Sequence, residues 1–415
     1  MAKLCLLLFL VVAGAEATTG VQQYLDDKIF VFYYLWYGNP AVNGKWQHWD
    51  HEILPHWTEH VNRQFPSVGS RHSPPGELHS PFFPSRGPYS STDPDVLLDH
   101  MHEIKAMGKS GDAGDGEIIV VLSWWGQASR EGTSDTQGIQ TDDRVHAVLL
   151  AAEACNVSIA WHLEPYPGRS AASVAGDVTY LEEKYGASKS IYRAGGAHPI
   201  YFVYDSYHVP PAQWKAELLG EESAVTESIS TSGTSGIGGT SGVGVGLRGR
   251  ALPGLFVGLW LEAEHGSDLV AAGFDAFYTY FAASNFVYGS TPRVWRRMVE
   301  EGNRLGLASI LSVGPGYADE RIRPWNTANS HPRQRGDYYN RMFRSAVESH
   351  PSAISITSYN EWGEGTQIEP AQSRVGYLDY ESEGGAFAYL NITSKWIRTF
   401  REDRERQKQQ NRREL

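Results

Sequence analysis

Cysteine is nearly absent, with two residues in 415. Cys5 lies in the N-terminal apolar run, which leaves Cys155 alone in the rest of the chain. A chain that loses this leader can form no intrachain disulfide and no cysteine-based metal site. Cys155 follows the apolar helical stretch Val145–Ala154 and reads as core rather than as a nucleophile. Positive charge is also short, with 36 Lys and Arg against 48 Asp and Glu and a formal net charge of -12. Phosphate binding needs clustered cations, so this balance argues against a nucleic-acid partner. Long hydrophobic runs are missing beyond the first residues. Met1-Ala2-Lys3 leads into the apolar run Leu4 to Ala13, followed by Gly14-Ala15-Glu16-Ala17. That pattern describes a secretory signal peptide over residues 1–17, with a signal anchor as the alternative. The run is shorter than the ~20 apolar residues that a membrane span needs. The sequons Asn156-Val157-Ser158 and Asn391-Ile392-Thr393 agree with a secretory route.

Aromatic residues, by contrast, are abundant, with 13 Trp and 22 Tyr. Their rings pair an apolar face with a polar handle, which suits stacking on sugars, although a large core also uses them. At 41% hydrophobic and 20% charged, the chain is long enough for one large α/β domain, assigned to residues 28–400.

Eight short apolar runs recur along the chain. They are Ile29–Tyr34, Ile118–Leu122, Val157–Trp161, Ile200–Tyr204, Leu255–Leu259, Ala276–Thr279, Ala308–Ser312 and Ala353–Thr357. Amphipathic helical segments generally alternate with them, and uniformly apolar runs indicate strands buried on both faces. Eight β/α units predict an α/β fold of the (β/α)8 TIM-barrel type, with a doubly wound open sheet as the alternative. Between the fourth and fifth strands, residues 221–250 are rich in Gly, Ser and Thr and read as a flexible surface insertion. Residues 401–415 read as a charged, fraying tail.

Polar and aromatic clusters follow the strands, where barrel enzymes build their sites. They comprise Tyr34 and Tyr37, Trp124 and Trp125, His162, Glu164 and Tyr166, Tyr204, Asp205 and Tyr207, Glu262, Tyr280, Tyr317, and Asn360, Glu361 and Glu364. No GxSxG follows a strand and no P-loop is present. His48, Asp50, His51 and Glu52 crowd one loop, and His162 with Glu164 shares a strand end, so a metal site is a competing reading. Neither group has the HExxH spacing. The expectation is no metal and no cofactor. Two carboxylates three residues apart, with aromatic platforms around them, suit glycoside hydrolysis instead. Each raises the other's proton affinity, so one can act as acid and the other as base or nucleophile.

The segments Phe32-Tyr33-Tyr34, Trp36-Tyr37-Gly38-Asn39-Pro40, His162-Leu163-Glu164-Pro165-Tyr166, Val203-Tyr204-Asp205-Ser206-Tyr207, Tyr278-Thr279-Tyr280-Phe281, Val313-Gly314-Pro315-Gly316-Tyr317, Ile322-Arg323-Pro324-Trp325-Asn326 and Ser358-Tyr359-Asn360-Glu361-Trp362 resemble glycoside hydrolase family 99, the endo-α-1,2-mannosidases. The resemblance runs in order from about Phe30 to Trp396. It implies a metal-independent TIM barrel that cuts within α-mannose chains with retention. It further implies release of glucosyl-mannose units from glucosylated high-mannose N-glycans, in the Golgi lumen or after secretion. By resemblance, Glu361 is the base toward the substrate's 2-hydroxyl and Glu364 the general acid and then base, with a 1,2-anhydro sugar between the steps. Substrate contacts are expected from Tyr34, Tyr37, Trp125, His162, Glu164, Tyr204, Asp205, Tyr207, Tyr280 and Asn360. Three features depart from the family pattern. Gly363 stands where family members commonly have His, the 221–250 insertion is larger than usual, and Trp124-Trp125-Gly126 is closer to bacterial mannan-cutting members. An endo-α-1,2-mannanase releasing mannobiose units, or a carbohydrate-binding barrel without turnover, are the alternatives.

Overall fold

The computed structural model describes residues 20–109, 117–220, 250–380 and 384–414. The leader at 1–17 and the insertion through residue 249 lie outside the described residues.

Eight parallel strands form the barrel. They are β1 (Ile29–Tyr33), β2 (Ile118–Trp124), β3 (Ser158–Leu163), β4 (His198–Val203), β5 (Leu255–Leu259), β6 (Ala276–Tyr278), β7 (Ala308–Val313) and β8 (Ala353–Ile356). Each strand pairs with its chain neighbours, and β1 closes the ring against β8 through Ile29 with Ile354 and Val31 with Ile356. Closure decides for the barrel and against the open sheet.

The matching helices are α1 (Pro94–Met107), α2 (Asp142–Cys155), α3 (Ala171–Tyr185), α4 (Pro211–Leu219), α5 (His265–Ala272), α6 (Trp295–Leu305), α7 (Asp337–Glu348) and α8 (Ala388–Glu414). Local sequence sets their ends. In α1, the Asp93 side chain accepts from Asp95 N and Pro94 occupies the first turn. At the C-terminal ends of α4, α5 and α6, Gly220, Gly273 and Gly306 take left-handed backbone angles. Cys155 is buried at the end of α2, as its apolar context predicts.

Inside the barrel, Phe32 lies tilted 4.7 Å from His162 and edge-on 5.6 Å from Phe202, which fills the axis with rings. Trp49, Trp124, Trp161, Trp214, Trp260, Trp295 and Trp362 are fully buried, so much of the tryptophan excess is core. Among the described residues no helix is long and apolar enough to cross a membrane.

Two expectations change at their edges. Residues 401–414 continue α8, where Arg404 and Lys408 pair with Asp26 and Asp27. Arg250, placed by its sequence in the flexible insertion, is anchored: its guanidinium donates to Gly273 O at 2.9 Å and pairs with the buried Asp275.

Candidate active site

The loop after β8 carries Asn360, Glu361, Trp362 and Glu364, and backbone-directed hydrogen bonds hold its shape. Asn360 Oδ1 accepts from Tyr34 N and its Nδ2 donates to Tyr34 O, both at 2.8 Å, which joins the ends of β1 and β8. Tyr37 OH donates to Asn360 O at 2.9 Å and accepts from Trp362 N at 3.1 Å. Glu369, further along the loop, accepts from Tyr89 OH at 2.7 Å and Trp362 Nε1 at 2.9 Å, and lies 2.9 Å from His100 Nε2. Those contacts fully engage this third carboxylate beneath the loop.

Glu361 is 4% exposed. Its backbone N–H donates to Ser358 Oγ at 2.8 Å, and its Oε1 accepts from Gly363 N at 3.0 Å. Oε2 is buried with no hydrogen-bond partner among the described residues. Burial first, and the charge of Glu364 second, push the Glu361 carboxyl well above the usual glutamate range. Glu364 is more open. Burial raises its pKa too, but the Arg323 guanidinium, 3.3 Å away, opposes the shift. Arg323 is itself fixed by the buried Asp319 at 3.0 Å, and Asp319 also accepts from Tyr317 OH and Asn326 Nδ2. The pair therefore titrates as a unit that holds a proton above the ordinary carboxylate range.

Across the barrel mouth, Tyr34 OH and Tyr280 OH are hydrogen-bonded to each other. Tyr280 stacks on His162 at 5.7 Å and meets Tyr204 edge-on at 4.8 Å. His162 Nδ1 lies 2.9 Å from Glu164 Oε1, which also accepts from Ser123 Oγ at 2.7 Å. Burial raises the pKa of Tyr34, Tyr204 and Tyr280, so all three remain phenols. The mouth is thus a buried carboxylate pair facing neutral hydroxyls and ring faces, with one guanidinium at its side. Such a set can move protons to and from sugar oxygens.

The model for Glycosyl hydrolase family 99 matches residues 24–402. The chain belongs to this family. It is a glycosidase. A mouse glycoprotein endo-alpha-1,2-mannosidase is 38% identical over 388 residues, covering 92% of this chain and 76% of the mouse protein. A mouse glycoprotein endo-alpha-1,2-mannosidase-like protein is 37% identical over 401 residues, 94% of this chain and 81% of its own. Among solved structures, the GH99 endo-alpha-mannosidase from Bacteroides thetaiotaomicron matches with a TM-score of 0.74 at 34% identity, covering 91% of this chain and 99% of that one.

Within this family 99 glycosidase, most of the candidate residues stand at the mouth. Tyr34, His162, Glu164, Tyr204 and Tyr280 form one connected group with the glutamates. Trp125 is half-buried, and its indole N–H has no partner among the described residues. Asp205, in a left-handed backbone conformation, sits beside the 40%-exposed Tyr207, whose ring stacks on His265 at 5.1 Å. Two candidates are placed differently. Tyr37 and Asn360 are 0% exposed and bond to the backbone of the loop and of Tyr34, so they also brace the loop.

The loop behind the metal alternative brings the His48, His51 and His79 rings within 5.1–5.9 Å of one another, each with contacts of its own. His48 pairs with Asp135 at 2.9 Å, His51 Nδ1 donates to Glu52 O at 2.6 Å, and Asp50 faces Arg71 at 3.3 Å. Burial lowers the His51 pKa to about 2, which keeps that ring neutral.

Sequence reasoning missed Arg323 and Asp319 as site residues. The signal was present in Ile322-Arg323-Pro324-Trp325-Asn326, but no pattern of spacing ties that segment to Glu364. Gly363 acquires a physical reason: a Cβ there would overlap Ile322 Cδ1 and stand 2.9 Å from His79 Cδ2. No side chain fits at this position while those two occupy the space.

Proposed function

We propose that this chain is a retaining endo-α-1,2-mannosidase of the secretory pathway, with Glu361 as base toward the substrate's 2-hydroxyl and Glu364 as general acid and base. The observation that carries the reading is Glu361 Oε2, a buried carboxylate oxygen with no donor among the described residues. A buried acceptor without a donor is costly, and a sugar hydroxyl placed against it removes that cost while putting its proton in reach.

In the first step Glu361 takes the 2-hydroxyl proton, O2 attacks the anomeric carbon, and the C1–O bond to the leaving sugar breaks. Glu364 delivers its proton to that leaving oxygen. In the second step Glu364 takes a proton from water, which attacks C1 and opens the 1,2-anhydro ring, and Glu361 returns a proton to O2. Two displacements at C1 restore the starting configuration. The scheme requires the shared proton to rest on Glu364 when the sugar is bound. In the free site Arg323 favours charge on Glu364, so a hydroxyl donated to Glu361 must supply the bias that moves the proton across.

The mannosidase relatives support a glycoprotein glycan cut within the chain, and the unit that we propose is released is glucosyl-mannose (Glc1-3Man). The test is Glu361→Gln and Glu364→Gln assayed on glucosylated high-mannose glycan, with products read by mass spectrometry. Each variant should fold and lose most activity. Near-normal turnover in either one rules out the role assigned to that residue. Release of mannobiose alone from unglucosylated mannan, with glucosylated glycan left intact, overturns the substrate assignment.

A further inference from the structure

The segment that fixes Glu364 continues outward into a cluster of aromatic rings that the chemistry above does not use. Trp57 is 83% exposed, the largest exposure of any aromatic ring among the described residues. An indole left in water on a polar loop needs a reason, since burial normally favours it. The ring is nevertheless fixed in place. His56 lies against it with centroids 3.7 Å apart, and Trp325 meets it edge-on at 5.4 Å and 78°. The turn beneath is cross-bonded: His56 N donates to Asn62 Oδ1 at 2.5 Å, Asn62 Nδ2 donates to His56 O at 2.9 Å, and Thr58 N donates to His56 Nδ1 at 2.9 Å. Because His56 Nδ1 accepts, the neutral ring carries its proton on Nε2 and can donate it outward. Trp325 Nε1 donates to Leu54 O at 3.0 Å, and Leu54 N donates to Ile322 O at 2.8 Å. Arg323, which holds Glu364, lies on the same short segment between these anchors.

We propose that Trp57, backed by His56 and Trp325, is an outlying subsite that stacks on a hexose ring of the glycan beyond the bond that is cut. The inference rests on the endo-mannosidase reading for the identity of the hexose. His56 leans on the indole at a 31° tilt and Trp57 stays 83% exposed, so ring surface is left free for a sugar's C–H face. The ring is flanked by the exposed residues Pro55, Glu59 and His60 rather than by other apolar side chains. A small ring cluster bordered by charged and polar residues suits a sugar better than a protein or membrane contact, which would need a wider contiguous apolar patch. The 322–325 segment links Glu364, through Arg323, to this platform, through Trp325, so a glycan that leaves the glutamates along that segment would approach Trp57.

The experiment compares Trp57→Ala and Trp57→Phe with the unaltered enzyme on two substrates. One is a short aryl glycoside whose leaving group ends at the cleaved bond, and the other is a full high-mannose oligosaccharide. Thermal melting confirms that both variants fold. Trp57→Ala should raise KM for the long glycan about 3- to 10-fold with kcat unchanged, and leave the short substrate unaffected. Trp57→Phe should recover most of the loss. Equal KM values for the long glycan in Trp57→Ala and the unaltered enzyme overturn the subsite. Failure of the unaltered enzyme on both substrates overturns the mannosidase reading instead. The platform is then decided by titrating indole fluorescence with the oligosaccharide: a quench lost in Trp57→Ala sustains it, and no difference rejects it.

Discussion

Replacing Gly363 with alanine tests the packing around the glutamates with a single methyl group. The added Cβ would overlap Ile322 Cδ1, approach His79 Cδ2 to 2.9 Å and come to 3.0 Å from Glu361 Oε1. His79 is 0% exposed and Ile322 is 4% exposed, so neither can swing into solvent. Overfilling a packed interior in this way costs about 1–3 kcal/mol. For a domain of this size that lowers the melting temperature by roughly 1–4 °C. Ile322 Cδ1 is the end of a flexible side chain, so removing it should relieve part of the clash. Ile322→Val alone should cost about 0.5–1.5 kcal/mol, and the double variant should be more stable than the sum of the two single changes predicts. Activity gives a second readout. Gly363 N donates to Glu361 Oε1 at 3.0 Å, and a shift of the loop lengthens that bond and displaces the carboxylate. The expected result is a fall in kcat that Ile322→Val partly restores. Calorimetry and steady-state kinetics on the four proteins complete the cycle. A Gly363→Ala enzyme with unaltered melting temperature and kcat would refute the reasoning.

Other outcomes follow from the charges. Burial raises the folded-state pKa of Glu361, so the native protein binds more protons than the unfolded chain from the ordinary glutamate range upward, and stability falls as pH rises through that window. Glu361→Gln removes the penalty. Its melting temperature should therefore exceed that of the unaltered protein by a margin that grows with pH, and a margin that shrinks toward neutral pH contradicts the assignment. Arg323→Gln takes away the cation that stabilises the Glu364 carboxylate. The pH–rate profile should move to higher pH, and kcat should drop roughly 10- to 100-fold, as for the loss of one or two charge-assisted hydrogen bonds. An unmoved profile would mean that Arg323 serves only the Asp319 network. Ending the chain after Arg401 removes the Arg404 and Lys408 pairs with Asp26 and Asp27. Stability should fall by about 1 kcal/mol at low salt and less at high salt, and a salt-independent loss points to packing instead.

The barrel was legible because its strands are uniformly apolar and its helices are punctuated. Residues 211–219 were readable as a helix from Pro211 to the Gly220 stop. The helix Ala171–Tyr185 begins where Ser170 and Ser173 cap each other, a signal carried by hydrogen bonds rather than by apolar periodicity. The continuation past Arg401 was missed for a related reason. Its stability comes from ion pairs to residues at the other end of the chain, which no local pattern reveals. The glutamate pair was visible as chemistry on a strand end. That Asn360 and Tyr37 also brace the loop backbone was not legible, because polar and aromatic residue types do not disclose which way they face. Arg323 was overlooked because its partners, Asp319 and Glu364, come from two different barrel loops.

The pairing of β1 with β8 joins Ile29 to Ile354, so the first strand made by the ribosome must wait for the last. Until Ala353 emerges, both β1 and β7 present an open edge, a hazard that the finished ring abolishes. The residues that end this wait lead directly into Glu361 and Glu364. A chain that stalls or is clipped short therefore lacks the proposed catalytic glutamates along with its closure.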